Sequence, residues 1–331
     1  MKKKKRTFWY TIPVYSILCI SLLSSFGCTL ISVSLFPPIG PLTETTVAGS
    51  GKNKVLLMDI SGIITYNEEE NGLLSLSGGQ GMVSRVREEL RKAAKDEYMK
   101  AVVLRINSPG GEVTASDAIY HEIEQFKKNT GIGVIACITD LGASGGYYVA
   151  VSADKIVAHP TAVTGSIGVI MLNVSVEGLL QKIGIKDTTI TTAEHKDMGS
   201  PLKTISEEER EIFLSVLNAM HERFVTIISN NRRGLEREKI VSLADGRIYI
   251  AEQALENGLV DMIGYLDDAI ILAKKEAGIK EARVVIYHRP GVYKSTIHSR
   301  LANPGAVNFI NIDLKSFVRT GTPSFMYLWS P

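Results

Sequence analysis

The sequence predicts an α/β protein built on a largely parallel sheet. Short apolar runs alternate with amphipathic stretches of helical period along the first half of the body, and two runs end in glycine-rich turns, 108–111 (SPGG) and 142–148 (GASGGYY). Beyond Ser206 the pattern is mostly helical. Strands that alternate with helices are joined by crossovers, which place the strands parallel in one sheet with helices packed on it.

The individual elements follow from periodicity and from start signals. Val83, Val86 and Leu90 fall on one face of a helix. Ser206 and Glu209 form a capping box, which predicts that a helix begins there. The predicted strands span residues 55–60, 101–106, 133–139, 155–158 and 284–287. The predicted helices span residues 83–94, 113–128, 147–150, 207–230, 236–243, 251–256 and 266–277.

The N-terminal segment has the composition of a membrane anchor. Residues 1–7 are basic, and residues 8–36 carry no charged side chain and are long enough for a helix that spans a bilayer. The lysine cluster places the N-terminus in the cytoplasm, so we expect a single-pass protein of the cytoplasmic membrane with its body on the exported side. A lipoprotein signal that ends at Cys28 and a cleaved signal peptide stay open as alternatives, and both also export the body.

The remainder of the chain divides into three parts by composition. Prolines and glycines after the anchor predict a linker over residues 37–53. Residues 54–280 form the predicted folded domain. Residues 281–331 are predicted to be a C-terminal tail, because the sequence shows no periodicity from about Pro290 onward.

Charge and cysteine content exclude several classes of function. The chain has 37 Lys and Arg against 35 Asp and Glu, and much of its net charge of +2 sits at the N-terminus, so the body carries no basic stripe suited to nucleic acid. Its three cysteines, Cys19, Cys28 and Cys137, form no disulfide framework and lack metal-ligand spacing. We therefore expect no nucleic-acid partner, no metal and no cofactor.

The turn around Ser144 is a candidate catalytic site. A serine between small residues at a strand-to-helix junction is uncrowded, and it lies where free helix N–H groups favour a developing anion. The amide of Gly145 and that of Gly111 could together bind one oxyanion. The alternatives are that Ser144 only caps the helix and that residues 108–111 form an ordinary turn.

A catalytic serine needs a base, and the sequence offers two candidates. His159 follows a predicted strand and suits a Ser–His–Asp arrangement. Lys196 lies in a polar loop of small residues, 191–201, that is expected to follow a further strand. Most lysines are solvated surface groups, so the residues alone leave this choice open.

Four motifs occur in order along the chain, and together they resemble the signal peptide peptidase A (SppA) family of serine peptidases. The motifs are residues 108–111, 143–148, 164–169 and 196–201, with weaker support from residues 245–247 and 258–261. The resemblance implies that Ser144 is the nucleophile, that Lys196 is the general base and that Ser166 orients the lysine. It also implies that Gly111 and Gly145 donate their amides to the oxyanion.

The resemblance further implies an architecture and a substrate. The family fold is a Clp protease/crotonase-like spiral of βαβ units, here with a helical C-terminal part. Short bacterial members assemble into a ring in which the serine and lysine of one site come from neighbouring subunits. We therefore expect a serine endopeptidase of the bacterial cytoplasmic membrane whose partners are peptide substrates (signal-peptide remnants), the membrane and other copies of the chain.

Two positions depart from the family pattern. Gly142 stands where the family usually has Ala, and Glu112 stands where a third Gly is common, so Glu112 is expected to influence which peptides bind. Neither change removes a catalytic atom. A lysine is a base only when neutral, and burial lowers its pKa from the reference value of ~10.4, so the resemblance predicts an alkaline optimum.

Two rival interpretations belong to other classes. A crotonase-like acyl-CoA enzyme would share the glycine-rich oxyanion turns, but export of the body argues against it. A catalytically silent membrane scaffold would keep the fold without the chemistry, but the presence of both Ser144 and Lys196 argues against that interpretation.

Overall fold

The computed structural model describes residues 40–66, 81–289 and 324–329. Within these residues nine strands form one sheet and three short strands form a second. The strands are β1 Thr43–Gly49, β2 Lys54–Ser61, β3 Met99–Ser108, β4 Gly110–Glu112, β5 Gly133–Ala143, β6 Lys155–Ala158, β7 Val163–Gly165, β8 Ile170–Leu172, β9 Ile248–Ile250, β10 Met262–Ile263, β11 Arg283–His288 and β12 Ser324–Leu328. The helices are α1 Met82–Ala93, α2 Val113–Thr130, α3 Gly145–Ala150, α4 Glu177–Lys182, α5 Glu207–Asn231, α6 Arg237–Leu243, α7 Ala251–Glu256 and α8 Leu266–Glu276.

The centre of the main sheet is parallel. The strand order is β1–β11–β2–β3–β5–β6–β10, with β7 paired to β5 and β9 paired to β7. Strands β2, β3 and β5 run in parallel register, with Leu57 opposite Val103 and Val103 opposite Ile135. Parallel neighbours need crossover connections, which α1 and α2 supply. The α/β class predicted from the alternating pattern is therefore confirmed.

Both faces of this sheet are covered, which explains why its strands read as continuous apolar runs. On one face Met58 and Leu104 belong to the larger core, which also receives the buried sides of α1, α2 and α3. On the other face Val103 and Ile135 pack in a second core with Ala269 of α8. The capping box predicted for α5 is present, since its N-cap hydroxyl accepts a hydrogen bond from the third helical amide at 3.2 Å.

A buried ion pair crosses the middle of the sheet. Asp59 of β2 lies opposite Arg105 of β3, and the guanidinium donates to the two carboxylate oxygens at 2.6 and 2.8 Å. Each side chain is only 8% exposed. Such a pair is tolerated only while both partners are present, because a lone buried charge is strongly unfavourable.

Three strands of the folded domain lie in segments that the sequence analysis assigned to the linker or to the tail. β1 pairs antiparallel with β11, with Thr45 opposite Ile286, so the linker predicted over residues 37–53 is wrong for Thr43–Gly49. β11 runs parallel to β2, and β12 belongs to the second sheet, so the tail predicted over residues 281–331 is wrong for both strands. A strand over residues 284–287 was predicted, but each of these pairings joins residues far apart in sequence, and local periodicity does not reveal the partner strand.

The basic segment 1–7 and the anchor predicted over residues 8–36 lie outside the described residues. Within the described ranges one helix, α5, is long and apolar enough to cross a membrane by length and composition. Phe224, Val225 and Ile228 of this helix are buried in the core. Because a core helix of a soluble protein passes the same test, α5 is weak evidence about a membrane.

Candidate active site

Ser144 lies at the junction between β5 and α3, as predicted. Its backbone has φ 52° and ψ −117°, a conformation that residues with a β-carbon rarely adopt and that is characteristic of functional sites. The Ser144 N–H donates to the Gly165 carbonyl oxygen at 2.8 Å and so ties the turn to β7. The serine hydroxyl makes no capping hydrogen bond to α3, which removes the alternative of a simple cap.

The two glycine-rich turns contact each other next to this serine. A β-carbon built on Gly110 would lie 2.6 Å from the Gly145 amide nitrogen, and one built on Gly111 would lie 2.0 Å from the Ile64 carbonyl oxygen. Main chain therefore occupies the space that a side chain would need at both positions. The structure brings together the turns that carry the two predicted oxyanion donors, Gly111 and Gly145.

The C-terminal strand β12 lies across these turns, and the sequence analysis missed it. It pairs antiparallel with β4 on one side and with β8 on the other. The Tyr327 carbonyl oxygen lies 1.9 Å from the β-carbon position of Gly110 and 3.1 Å from that of Gly145. A peptide carbonyl of the chain itself thus occupies the place at which the two turns meet.

Ser166, the residue predicted to orient the lysine, follows β7. This strand pairs in parallel with the end of β5, with Gly165 opposite Ala143, so Ser166 continues alongside the nucleophile turn. Ser166 has φ 49°, and its N–H donates to the Arg247 carbonyl oxygen at 2.7 Å. The motif over residues 245–247 therefore has a structural role, which is to hold the backbone of Ser166.

Lys196, the predicted base, lies in an exposed segment and not at the end of a strand. Residues 183–203 contain neither helix nor strand, so the strand expected before Lys196 is absent from this part of the described chain. Lys196 is exposed, whereas Ser144 is 1% exposed, and no hydrogen bond joins their side chains within the described residues. The described part of one chain therefore brings the turns of Gly111 and Gly145 to Ser144 without a hydrogen bond from Lys196 to that serine.

A nearby lysine has a purely ionic role. Lys203 Nζ lies 2.7 Å from a carboxylate oxygen of Asp197 and 2.7 Å from one of Glu209. The hydrogen bonds that Lys203 donates to Asp197 and Glu209 raise the pKa of Lys203, and the one that Glu209 accepts lowers the pKa of Glu209. Lys203 thus stays protonated and ties the exposed segment to the start of α5.

His159, the alternative base, has other partners. Its Nδ1 accepts a hydrogen bond from the Thr161 N–H at 3.2 Å and lies 2.9 Å from the Thr161 hydroxyl. Its ring packs edge-on against Tyr265 with centroids 4.8 Å apart. In the part of the chain that the structure describes, no hydrogen bond connects His159 to Ser144. Neither candidate base therefore meets the serine within one chain.

The two departures from the family pattern have local structural reasons. A β-carbon on Gly142 would lie 2.8 Å from the side chain of Ile138, so the isoleucine fills the space that an alanine methyl would need. Glu112 lies opposite Met326 of β12, and its carboxylate accepts a hydrogen bond from the Tyr66 N–H at 3.0 Å. Glu112 therefore borders the groove in which the extended C-terminal strand lies.

Other chemistries find little support in the described residues. No group of three or more His, Cys, Asp and Glu side chains there could hold a metal ion. Cys137 is buried in the core, and burial raises the pKa of its thiol to about 12, so the thiol stays protonated. The candidate nucleophile of the described chain is thus the serine.

Comparison of this sequence and structure with those of known proteins identifies the family of the chain. The model of peptidase family S49 matches residues 126–280. A protein of Enterococcus faecium, provisionally named signal peptide peptidase SppA, is 37% identical over 244 residues, which are 74% of this chain and 70% of that relative. Protease 4 of Haemophilus influenzae is 33% identical over 225 residues, which are 67% of this chain and 35% of that relative. Among solved structures, a ClpP1 mutant of Listeria monocytogenes has a TM-score of 0.41 at 20% identity and covers 65% of this chain and 94% of that chain.

The chain belongs to peptidase family S49, the family of the SppA-type peptidases. It is a serine-type peptidase, and the family resemblance inferred from the four motifs is confirmed. The matched residues make up only 35% of the length of Protease 4. The roles of Ser144, Lys196, Ser166, Gly111 and Gly145 stay predictions.

Proposed function

We propose that this chain is a membrane-anchored serine endopeptidase that uses Ser144 and Lys196 as a dyad to cleave signal-peptide remnants and other hydrophobic peptides after export. The observation that carries the proposal is the Tyr327 carbonyl oxygen, which lies between the Gly110 and Gly145 turns next to a serine in a strained conformation. A substrate peptide that takes the place of this strand would bring a carbonyl group to the two turns, where the serine hydroxyl is proposed to attack its carbon and backbone N–H groups to bind its oxygen.

The proposed reaction has two halves. Ser144 Oγ attacks the carbonyl carbon while the neutral amine of Lys196 takes the hydroxyl proton, and the amides of Gly111 and Gly145 stabilise the oxyanion. The lysine then gives its proton to the leaving amine as the C–N bond breaks, which leaves an acyl-enzyme. Finally the lysine takes a proton from water, whose oxygen attacks the carbonyl carbon of the ester. The lysine then returns that proton to Ser144 Oγ as the C–Oγ bond breaks, so the product leaves with its new carboxyl end and the serine and the neutral lysine are restored. Ser166 is proposed to orient the lysine throughout.

The base is proposed to come from a neighbouring copy of the chain in a ring. Lys196 is exposed in one subunit, and the chain around it exposes large apolar side chains, with Ile190 95% exposed. Other exposed apolar side chains nearby in sequence are Leu172, Val174, Leu179, Ile183 and Ile185. Apolar surface of this kind is typical of protein–protein contacts, and a lysine buried in one is pushed towards its neutral form.

The anchor over residues 8–36 is proposed to hold the peptidase at the bacterial cytoplasmic membrane as a single pass, with the N-terminus inside. Support comes from the uncharged run that follows the basic residues 1–7 and from the name of the Enterococcus faecium relative, which mentions signal peptides. Signal-peptide remnants lie in the membrane, so an anchored peptidase would meet them there.

Hydrolysis of a short hydrophobic peptide by the detergent-solubilised full-length chain tests the dyad. We expect turnover that increases towards alkaline pH. Ser144→Ala and Lys196→Ala should each lower kcat by roughly four orders of magnitude, because members of one catalytic unit fail together. His159→Ala should keep the wild-type rate, and so should Lys186→Ala, a matched exposed lysine in the same segment.

Other outcomes would redirect the assignment. If His159→Ala abolishes turnover and Lys196→Ala is mild, a Ser–His mechanism replaces the dyad. If the wild-type chain is inert at every pH while it remains folded, the scaffold interpretation replaces the proposed peptidase.

A further inference from the structure

Glu112 lies beside the strand that crosses the two glycine-rich turns. In the register of β4 and β12, Glu112 is directly opposite Met326. Directly opposed residues of an antiparallel pair send their side chains to the same face, with β-carbons about 4.5–5.5 Å apart. On the other side of β12, Ile170 of β8 is also opposite Met326. The side chain at the Met326 position therefore lies between an acidic and an aliphatic neighbour.

The Glu112 carboxylate is held in place, but the described chain does not neutralise it. One of its oxygens accepts a hydrogen bond from the Tyr66 N–H at 3.0 Å. Within residues 40–66, 81–289 and 324–329, no lysine, arginine or histidine side chain pairs with this carboxylate. Glu112 is also the N-cap residue of α2, where the helix dipole favours a negative charge. The carboxylate thus presents a positioned negative charge to the side chain on the facing strand.

The register of β12 relates this position to the proposed cleavage point. The Tyr327 carbonyl oxygen lies where the two turns meet, so a substrate residue in the place of Tyr327 would come directly before the cleaved bond. Met326 comes one residue earlier, and its uncharged side chain is half-buried. Successive side chains of a strand point to opposite faces, so a slip of one residue would take this side chain away from Glu112. Glu112 therefore faces the second residue before the proposed cleavage point.

We propose that Glu112 selects lysine or arginine as the second residue before the cleaved bond. This inference rests on the proposed peptidase function and adds a substrate class, which is extended peptides with a basic side chain at that position. A long cationic side chain can cover Ile170 with its apolar stem and bring its charged end to the carboxylate. Neighbouring strands are about 4.8 Å apart, a distance that the stem of lysine or arginine spans. Methionine has a similar unbranched stem without the charge, and glutamate is repelled.

A peptide series with the full-length chain measures this preference. The fluorogenic peptides Phe-X-Tyr-Leu copy residues 325–328, with Lys, Arg, Met or Glu as X, and mass spectrometry identifies the cleaved bond. We expect kcat/KM for Lys and Arg to exceed that for Met by about 3- to 10-fold, and the Glu peptide to be cleaved most slowly. The C-terminal strand of the chain competes equally with every peptide, so it does not affect these ratios. A Met peptide that is cleaved as efficiently as the Lys peptide overturns the proposal.

Two variants separate the charge of Glu112 from its shape. Glu112→Gln keeps an acceptor for the Tyr66 N–H, so only the preference for Lys over Met should disappear. Glu112→Lys should reverse the order, with the Glu peptide cleaved fastest. The matched control is Glu276→Gln, which removes the same charge from an exposed position in α8 on the other face of the main sheet and should keep the wild-type ratio. A Lys preference that survives in Glu112→Gln would contradict the role given to this carboxylate.

Binding to an inactive chain separates this inference from the peptidase function. In Ser144→Ala, calorimetry should give a Kd for the Lys peptide that is about 3- to 10-fold lower than for the Met peptide, and adding Glu112→Gln should make the two values equal. If this order is found while chains with an intact Ser144 hydrolyse nothing, the peptidase proposal fails and the role of Glu112 stands. If peptides are hydrolysed but neither kcat/KM nor Kd favours a basic side chain, the role of Glu112 fails and the peptidase proposal stands.

Discussion

The two halves of the proposed site are built in different ways. Ser144 is 1% exposed, its N–H is bound to β7, and the neighbouring turns leave no room for a side chain at Gly110. Lys196 is exposed in residues 183–203, which form neither helix nor strand. Packed main chain thus positions the nucleophile and the oxyanion turns within one chain, whereas the described part of that chain brings no base to them. If the proposed roles hold, the packed turns supply the stabilisation of the oxyanion, and proton transfer to Lys196 requires a further contact.

The largest expected effect on stability comes from removing a charge in the rigid part of the molecule. Arg105→Met leaves Asp59 buried without its bidentate partner, which should lower the free energy of unfolding by about 3–5 kcal/mol. Lys196→Met, the same loss of charge in the exposed segment, should change the free energy of unfolding by at most about 0.5 kcal/mol while it abolishes turnover. Denaturant unfolding of the full-length chains in detergent measures both values. Equal loss of free energy of unfolding in the two variants would contradict the contrast between a packed sheet and an exposed segment.

Two glycine substitutions test the same difference between the packed turns and the exposed segment by their effect on catalysis. Gly110 has φ +100° and a β-carbon position 1.9 Å from the Tyr327 carbonyl oxygen, so Gly110→Ala should displace the oxyanion turns and lower kcat/KM by about 100-fold or more. Gly184 has φ +74° in open space, so Gly184→Ala should cost only about 1–2 kcal/mol of backbone strain and keep turnover. Steady-state hydrolysis and thermal unfolding distinguish these results. A Gly110→Ala enzyme with the wild-type rate would show that these turns do not belong to the catalytic site.

Most parts of the rigid half were predictable because each of them is encoded by a short local stretch of sequence. The buried strands, the turn at Ser144 and the short helix after it were all predicted near their observed positions. Each depends on local features such as continuous apolar runs, glycines at strand ends and the Ser206 capping box. The same motifs led to the family, which the comparisons confirm.

The pairing of β1 and β12 and the surroundings of Lys196 depend on contacts between distant parts of the chain, which a local stretch of sequence does not encode. β1 and β12 are strands only because distant strands supply their hydrogen bonds. A signal for β12 was present, since residues 325–329 form an uninterrupted apolar and aromatic run of high strand propensity. No comparable signal exists around Lys196, whose polar loop has no strand beside it in the described residues.

The smallest expected effect concerns the link between the exposed segment and the body. Lys203→Ala removes the contacts to Asp197 and Glu209, and because the lysine side chain is 30% exposed, the loss should be about 1 kcal/mol or less at neutral pH. The pKa of Glu209 in the folded chain lies below its ordinary value of 4.5, so this stabilisation is present above pH 4.5 and is lost as the pH falls through the lower, folded value. Thermal unfolding from neutral pH to pH ~3 should therefore show the two chains converging. A difference that persists unchanged in acid would show that this ion pair does not cause it.

The most direct test of the account is complementation between two inactive chains. Ser144→Ala and Lys196→Ala chains are co-expressed in equal amounts, and hydrolysis of the hydrophobic peptide is measured on the purified mixture. If each site takes its serine from one subunit and its lysine from the next around a ring, an intact serine meets an intact lysine at about a quarter of the contacts, so about a quarter of the wild-type activity should return. A mixture as inert as either variant alone, in assemblies shown to contain both chains, would place the serine and its base in the same chain and contradict the shared site.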